Sequence, residues 1–583
     1  MYVSGGDSQF TTRDPMEDAN LTGKRNPMNL MKESDRLIRL GAANAMSDIE
    51  LGKYGEAVSW IEFAATVGWH NYPGYFFHPG LEKALYDIGR IGLEPSSKPL
   101  CPEDMSPNNS HSQVLHVMTA AHAIGGHTRA VADWISNCSD ASSGMKHSIL
   151  LTSQGSTELP DWLSSATSTT GGTCTLLDPG IPSLERAVTL RSIAQRHSDI
   201  VILHIHPNDP LAGIAFSDPG RKFPVLFFNH ADHVFSIGQS VADFVLDFRK
   251  SGQKVSINER GCSARCRMVP IPMKVPVDSS FKGPTERYNL RSKARAILGI
   301  PRETTVALTI GSEYKFKPAL GYDFTRAVRD VLSKINDAHL YAIGIPNSGP
   351  WKELSEDLDG RFHPVGEVWG RKKVGEYYAA SDLYMEGYPF GSLTAMLEAG
   401  LFALPIQRMM NSDAPILSGD DVSLDDIVSP ALSEGQYIEA TTRMLKMSNE
   451  DRFKLGIEIR RSVMRDHCGP SWFQKWFEPV MNEALAQRRR PMERSVDYSF
   501  ETSPKPNEST RDCQLVLTSS SHNPPETMIL RGLNGVTFAS LGILLELIGR
   551  SLARREPIRF PGEATRLLAG VGARFPRRWH GEA

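Results

Sequence analysis

The chain runs to 583 residues with a net charge of only -3. That length accommodates three or four domains with real cores, and the near-neutral balance excludes a generic nucleic-acid binder, which needs a basic surface to displace counterions. Seven cysteines scattered over such a length make no disulfide framework and point to a reducing cytoplasm.

Residues 1 to about 25 are polar and poor in large apolar groups, which predicts disorder; the polar start lacks the apolar core of a secretory signal. From Asn29 to Leu93, Ile38, Ala42, Ala45 and Met46, and then Ala57, Trp60, Ile61 and Ala64, recur at helical spacing, with a break at His70-Asn-Tyr-Pro-Gly. The pattern predicts a small helical domain without a solenoid repeat. Trp69, His70 and Tyr72 suit either packing or a binding surface.

After a linker opened by Glu94-Pro-Ser-Ser-Lys-Pro, Val114-Leu-His-Val-Met predicts a first core strand. Ala120-Ala-His-Ala-Ile-Gly-Gly-His-Thr-Arg follows as a loop opening a helix over Ala130 to Ile135. Gly125 and Gly126 let a ligand approach the backbone, His127 exchanges protons near neutral pH, and Arg129 is a fixed cation. Ser148-Ile-Leu-Leu-Thr, Asp199-Ile-Val-Ile-Leu-His-Ile-His and Pro224-Val-Leu-Phe-Phe-Asn-His-Ala-Asp-His continue the pattern of buried strands ending in polar residues, with a helix over about Ser183 to Arg196 between them. Strands alternating with helices predict a parallel sheet whose carboxyl edge binds ligand.

Two chemistries fit that edge. His204, His206, Asp209, His230 and His233 supply enough imidazole and carboxylate for a metal-dependent hydrolase. Alternatively His230 or Asp232 takes the proton from an attacking hydroxyl. Cys262 and Cys266 are spaced too loosely for a zinc knuckle and read as free thiols, and Pro270-Ile-Pro-Met-Lys-Val-Pro predicts an extended connection between two domains.

The second unit opens with a helix near Arg291 to Leu298 and the strand Thr304-Thr-Val-Ala-Leu-Thr-Ile-Gly-Ser. Lys315 and Lys317 follow Ser312 closely enough to neutralise a diphosphate at the same edge. Leu340-Tyr-Ala-Ile-Gly-Ile-Pro and Phe362-His-Pro-Val-Gly-Glu-Val give two further strands. Leu383 and Tyr384 then end a strand, Gly387 to Gly391 turn, and Ser392 stands as the N-cap of a helix to about Gly400. The unpaired N–H groups at such a helix start make a phosphate seat over Gly391 to Thr394. Glu398, about 9 Å along the axis from Ser392, can accept hydrogen bonds from sugar hydroxyls. Helices over Gln436 to Met447, Asp451 to Arg465 and Ser471 to Gln487 close the unit.

Pro389-Phe-Gly-Ser-Leu-Thr-Ala-Met-Leu-Glu-Ala-Gly with Leu404-Pro405 resembles the donor-binding segment of GT-B glycosyltransferases of the bacterial group 1 or family 4 type. The Gly125-Gly126 loop, the Gly311 strand end with its lysines, the Phe362 strand-turn and Asn229-His-Ala-Asp-His resemble other segments of that family, in its order, across roughly Val114 to Leu485. The resemblance implies an α/β protein with two Rossmann-like parallel-sheet domains, plus an N-terminal helical domain and a C-terminal helical appendage. Expected boundaries are 1–25 disordered, 26–100 helical, 101–275 acceptor domain, 276–487 nucleotide-sugar domain, 488–525 linker and 526–583 basic amphipathic segment.

The activity it implies is hexosyl transfer from a nucleotide sugar, a UDP- or GDP-sugar, to a glycan, lipid-linked or protein acceptor. Donor contacts fall on Gly125, Gly126, Ser312, Lys315, Lys317, Gly391, Ser392 and Thr394, with Val365 at the base and Glu398 at the ribose. His127, His230 and Asp232 face the acceptor, and no cofactor or metal is called for, because helix dipole and lysines supply the positive field. Where many retaining members carry a glutamate eight positions before the second one, this chain has Phe390 eight before Glu398, which favours inversion with a histidine or aspartate base. A degenerate, inactive nucleotide-sugar binder is the non-enzymatic alternative. The tail over 528–578, with an apolar run from Val536 to Gly549 followed by arginines, suits either an anionic cytoplasmic membrane surface or packing on the protein.

Overall fold

The computed structural model describes residues 27–93, 112–123, 126–155, 158–218, 220–410, 419–488 and 511. The expectations for 1–25, for the linker opened at Glu94, for Gly125, for the 488–525 linker apart from Arg488 and Arg511, and for the tail 526–583 lie outside these residues. Among the described residues no helix is long and apolar enough to cross a membrane.

Seven strands form the first sheet: β1 Gln113–Met118, β2 Lys146–Leu151, β3 Cys174–Leu176, β4 Ile200–His204, β5 Val225–Phe228, β6 Phe244–Asp247 and β7 Cys266–Met268. Their order is β3-β2-β1-β4-β5-β6-β7, and every pairing is parallel. Five strands form the second: β8 Thr305–Ile310, β9 Ala338–Ile343, β10 Phe362–Gly366, β11 Leu383–Met385 and β12 Ile406–Gln407, in the order β10-β9-β8-β11-β12, again all parallel. The near-continuous apolar runs of the sequence explain this: such strands are buried on both faces under crossover helices. In both sheets the strand order reverses beside the first strand of the unit, the position where open α/β sheets gather ligands at their carboxyl ends.

The helices Pro27–Glu50, Tyr54–His70 and Pro79–Asp87 do not stand apart as a separate lobe. Leu37, Ile61, Phe63 and Leu81 share one apolar core with Leu203 and Val225 of the first sheet and with Phe235, which follows β5. Gly68 lies so close to the Phe235 ring that a Cβ there would stand 2.5 Å from it. Buried Glu82 accepts hydrogen bonds from the Gly238 (2.8 Å) and Ser240 (3.1 Å) amides, so a carboxylate as well as apolar area fixes this dock.

At its other end the chain crosses back. The helix Asn449–His467 leads into a helical run from Gly469 to Arg488. There Trp472 and Phe477 close on Trp134, which lies on the first-domain helix Gly126–Asp140, with centroids 5.0 and 4.7 Å away. All three rings are fully buried. Asn137 adds polar register, donating to the His467 carbonyl (3.0 Å) and accepting from the Gly469 amide (2.9 Å). The connection at Met273 is extended as expected and donates to the His467 carbonyl at 2.8 Å, so one apolar core runs through both domains.

Two local expectations need correction. The helix expected over Ala130 to Ile135 starts at Gly126 and runs to Asp140, which puts Gly126 and His127 in its first turn. Ser392 holds the N-cap position of the helix Leu393–Leu401 but its side chain makes no capping bond: its hydroxyl accepts from the Lys315 ammonium instead, and the carboxylate of Glu386 accepts from the Ser392 amide.

Candidate active site

The helices Gly126–Asp140 and Leu393–Leu401 present their N-terminal ends to each other across the domain junction. A Cβ built on Gly126 would lie 3.3 Å from the Thr394 hydroxyl, so the absence of a side chain at Gly126 is what permits the approach. Two positive dipole ends therefore converge, and Gly391, Ser392 and Thr394 are all partly exposed there.

Lys315 reaches the same point. Its ammonium donates to the Gly391 carbonyl and to the Ser392 hydroxyl, both at 3.1 Å. Burial lowers its pKa, with Arg249 acting in the same direction and Glu386 against it. Lys317, the other predicted cation, makes no bond to this segment among the described residues. Ser312 heads the turn that carries Lys315, accepting from the Lys315 amide at 3.0 Å, and the neighbouring Gly311 abuts Ser392, whose hydroxyl would be 2.9 Å from a Cβ at that position. Val365 lies partly buried in β10 and makes no side-chain bond to the cluster.

Glu386, which sequence reading did not nominate, sits at the centre. It is 2% exposed, and burial pushes its pKa up to about 7 against the pull of the Ser392 amide, Lys315 and Arg249. A carboxylate thus occupies a helix N-terminus that suits a phosphate. Its signal was present as the acidic residue closing β11, but nothing in the sequence said that the turn would fold back on it.

Glu398 lies one helical turn beyond Thr394. The Tyr378 hydroxyl donates to it at 3.3 Å. Burial raises its pKa, opposed by Arg371, Tyr378 and Arg129. Arg371 comes from the second domain and Arg129 from the first, so Glu398 faces the junction with a cation on each side.

On the opposite wall His127, His206 and His230 meet. The His127 ring lies 4.2 Å from that of His230 and 5.7 Å from that of His206. The His204 backbone is the hydrogen-bond partner of the His127 ring, while its Nε2 is buried with no hydrogen-bond partner among the described residues. Burial lowers its pKa to about 4, and His206 adds to the effect. Trp69, at the end of the helix Tyr54–His70, extends the wall with its ring 5.8 Å from His206.

Asp232 stands behind this wall. Arg249 clasps both its oxygens, at 2.6 and 2.8 Å, and His233 approaches at 3.2 Å. Burial disfavours the charge, yet Arg249 outweighs it and holds the carboxyl well below its ordinary range. So acidic a group is a poor base. In this arrangement Asp232 positions Arg249, the second residue that sequence reading missed, which lies near enough to Lys315 and Glu386 to perturb both.

The metal reading finds no support. Among the described residues no three His, Cys, Asp or Glu side chains are arranged to hold an ion. Both ring nitrogens of His204 are engaged by other histidines, and Asp209 accepts from Thr119 (2.6 Å), Thr152 (2.5 Å) and the Leu211 amide (2.9 Å). Cys262 and Cys266 are free thiols, as expected.

Two parallel Rossmann-like sheets with facing carboxyl edges and a terminal helix returning to the first domain define the GT-B architecture. Among solved structures, the chain is similar to an O-GlcNAc transferase from Thermobaculum terrenum, at 13% identity and TM-score 0.47 over 77% of this chain and 84% of that one. It is also similar to a glycosyltransferase from Rickettsia africae, at 13% identity and TM-score 0.48 over 64% of this chain and 99% of that one. No protein-family model and no curated protein matches the sequence.

Proposed function

We propose that the chain is a glycosyltransferase that moves a hexosyl group from a nucleotide sugar to a hydroxyl of a glycan, lipid-linked or protein acceptor, with inversion. The observation that carries this reading is the convergence of two helix N-termini, one from each domain, on a point served by Lys315 and facing three imidazoles.

In this reading the diphosphate of a UDP- or GDP-sugar takes the place of the Glu386 carboxylate at Ser392, with Thr394 and Lys315 as further donors, and Glu398 accepts from the ribose. The acceptor oxygen attacks the anomeric carbon as its bond to the phosphate oxygen breaks. The nucleoside diphosphate leaves into the field of Lys315, Arg249 and the helix dipole. The proton goes to His127, whose Nε2 lies at the junction with no hydrogen-bond partner among the described residues. Tenure in the cytoplasm, where nucleotide sugars are made, fits the free thiols.

The test is a thermal-shift panel of UDP-, GDP- and ADP-sugars on the wild type and on Glu398→Ala, with turnover measured on the best ligand. One nucleotide sugar should stabilise the wild type, and the shift should shrink in the variant. No stabilising sugar nucleotide would overturn the reading; binding without turnover would make the chain a nucleotide-sugar binder.

A further inference from the structure

Four histidines, three of them fully buried and the fourth, His230, partly exposed, form a continuous hydrogen-bonded ladder across the first sheet. His147 comes from β2, His116 from β1, His204 from β4 and His230 from the end of β5, four strands that are neighbours in that order. The register staggers them evenly. His116 lies opposite Ile149, two residues beyond His147, and His204 lies opposite Met118, two beyond His116. Leu203 lies opposite Phe227, so His230 stands two beyond the position level with His204. A step of two keeps every side chain on one face, and the ladder therefore climbs diagonally to the carboxyl edge, where His230 meets His127.

The bonds all run in one sense. His147 Nδ1 meets His116 Nε2 at 2.9 Å, His116 Nδ1 meets His204 Nε2 at 3.0 Å, and His204 Nδ1 meets His230 Nε2 at 2.8 Å. Burial pushes the pKa of each ring below the ordinary histidine value, that of His147 to about 3, so all four are neutral and each carries one N–H. With three bonds in series, one ring's tautomer dictates the next. Only two patterns satisfy every bond: all four protonated on Nδ1, or all four on Nε2.

The inner end chooses between them. His147 Nε2 is buried and has no hydrogen-bond partner among the described residues, and a buried N–H without an acceptor is less tolerated than an under-satisfied acceptor. That nitrogen is therefore bare, and the protons lie on Nδ1 throughout.

We propose that His147, His116 and His204 are positioning residues that lock His230 as its Nδ1–H tautomer, making it a hydrogen-bond donor to the oxygens of substrate in the cleft rather than a base. Proton removal is thereby left to His127, and His230 orients or polarises the oxygen it touches. The tautomer follows from the ladder alone; the identity of the oxygen rests on the transferase reading given above.

The experiment is ring nitrogen–proton correlation NMR on the full chain labelled with ¹⁵N-histidine, with His230→Gln used to assign the His230 signals. In the wild type, His230 and its three partners should each show the Nδ1–H pattern. In His204→Phe, which removes the neighbour of His230 without adding a polar group, the His230 signals should move to the averaged pattern of a solvated imidazole. A wild-type spectrum with His230 as Nε2–H, or with the four rings in independent mixtures, overturns the proposal even if the variant fails to fold. A His230 tautomer unchanged in a folded His204→Phe does so too. Because no substrate is needed, a protein without turnover that shows the expected pattern would retire the transferase reading and leave the ladder standing.

Discussion

Glu386→Gln is the most informative single substitution. The native carboxyl is 2% exposed and its pKa stands at about 7 where the ordinary value is 4.5, a bias of about 3 kcal/mol against the charged form. The folded pKa lies above the unfolded one, so the associated stability is fully present below about pH 4.5 and is lost as pH rises through 7. Glutamine keeps an acceptor oxygen for the Ser392 amide and never ionises. Wild type and variant should therefore unfold alike at pH 4.5, and the variant should gain about 3 kcal/mol over wild type by pH 8. Urea or thermal unfolding at both pH values reads this directly. Nucleoside diphosphate affinity should also rise in the variant at pH 8, because an anion no longer competes for the helix N-terminus. A variant less stable than wild type at pH 8, or a difference independent of pH, would refute the argument that the carboxylate is buried against its preference.

Asp232→Asn should cost about 3–5 kcal/mol in denaturant unfolding, since it breaks a buried ion pair by neutralising one partner, and should raise KM for the donor as Arg249 loosens. His127→Gln should lower turnover by about 10²–10⁴-fold while leaving the thermal shift given by the donor intact; equal loss of both would assign His127 to binding instead.

Much of the fold was legible in the chain because it is written locally. Apolar runs of strand length alternating with helical stripes dictate parallel sheets, and Gly391-Ser392 followed by Leu393, Met396 and Leu397 dictates a helix start after a turn. Gly126, His127, Lys315, Ser392 and Thr394 were legible as candidates because glycine at a helix start and a basic residue after a strand have chemical meaning wherever the chain places them. Asp232 was legible as a polar residue at a strand end, but its partner was not: Arg249 lies 17 residues on, after β6, and only the sheet brings the two together.

What the sequence determined by itself is the alternation of elements and the residue types at their ends, because both follow from backbone sterics and from the period of apolar side chains. What only the tertiary structure decided is which polar ends meet. The return of Trp472 and Phe477 onto Trp134 ties the last helices to the first domain, the fold of the Gly387 turn puts Glu386 on the Ser392 amide, and the β2-β1-β4-β5 order links four histidines scattered between positions 116 and 230 into one ladder. Those pairings depend on strand order and register, long-range quantities that no local pattern encodes.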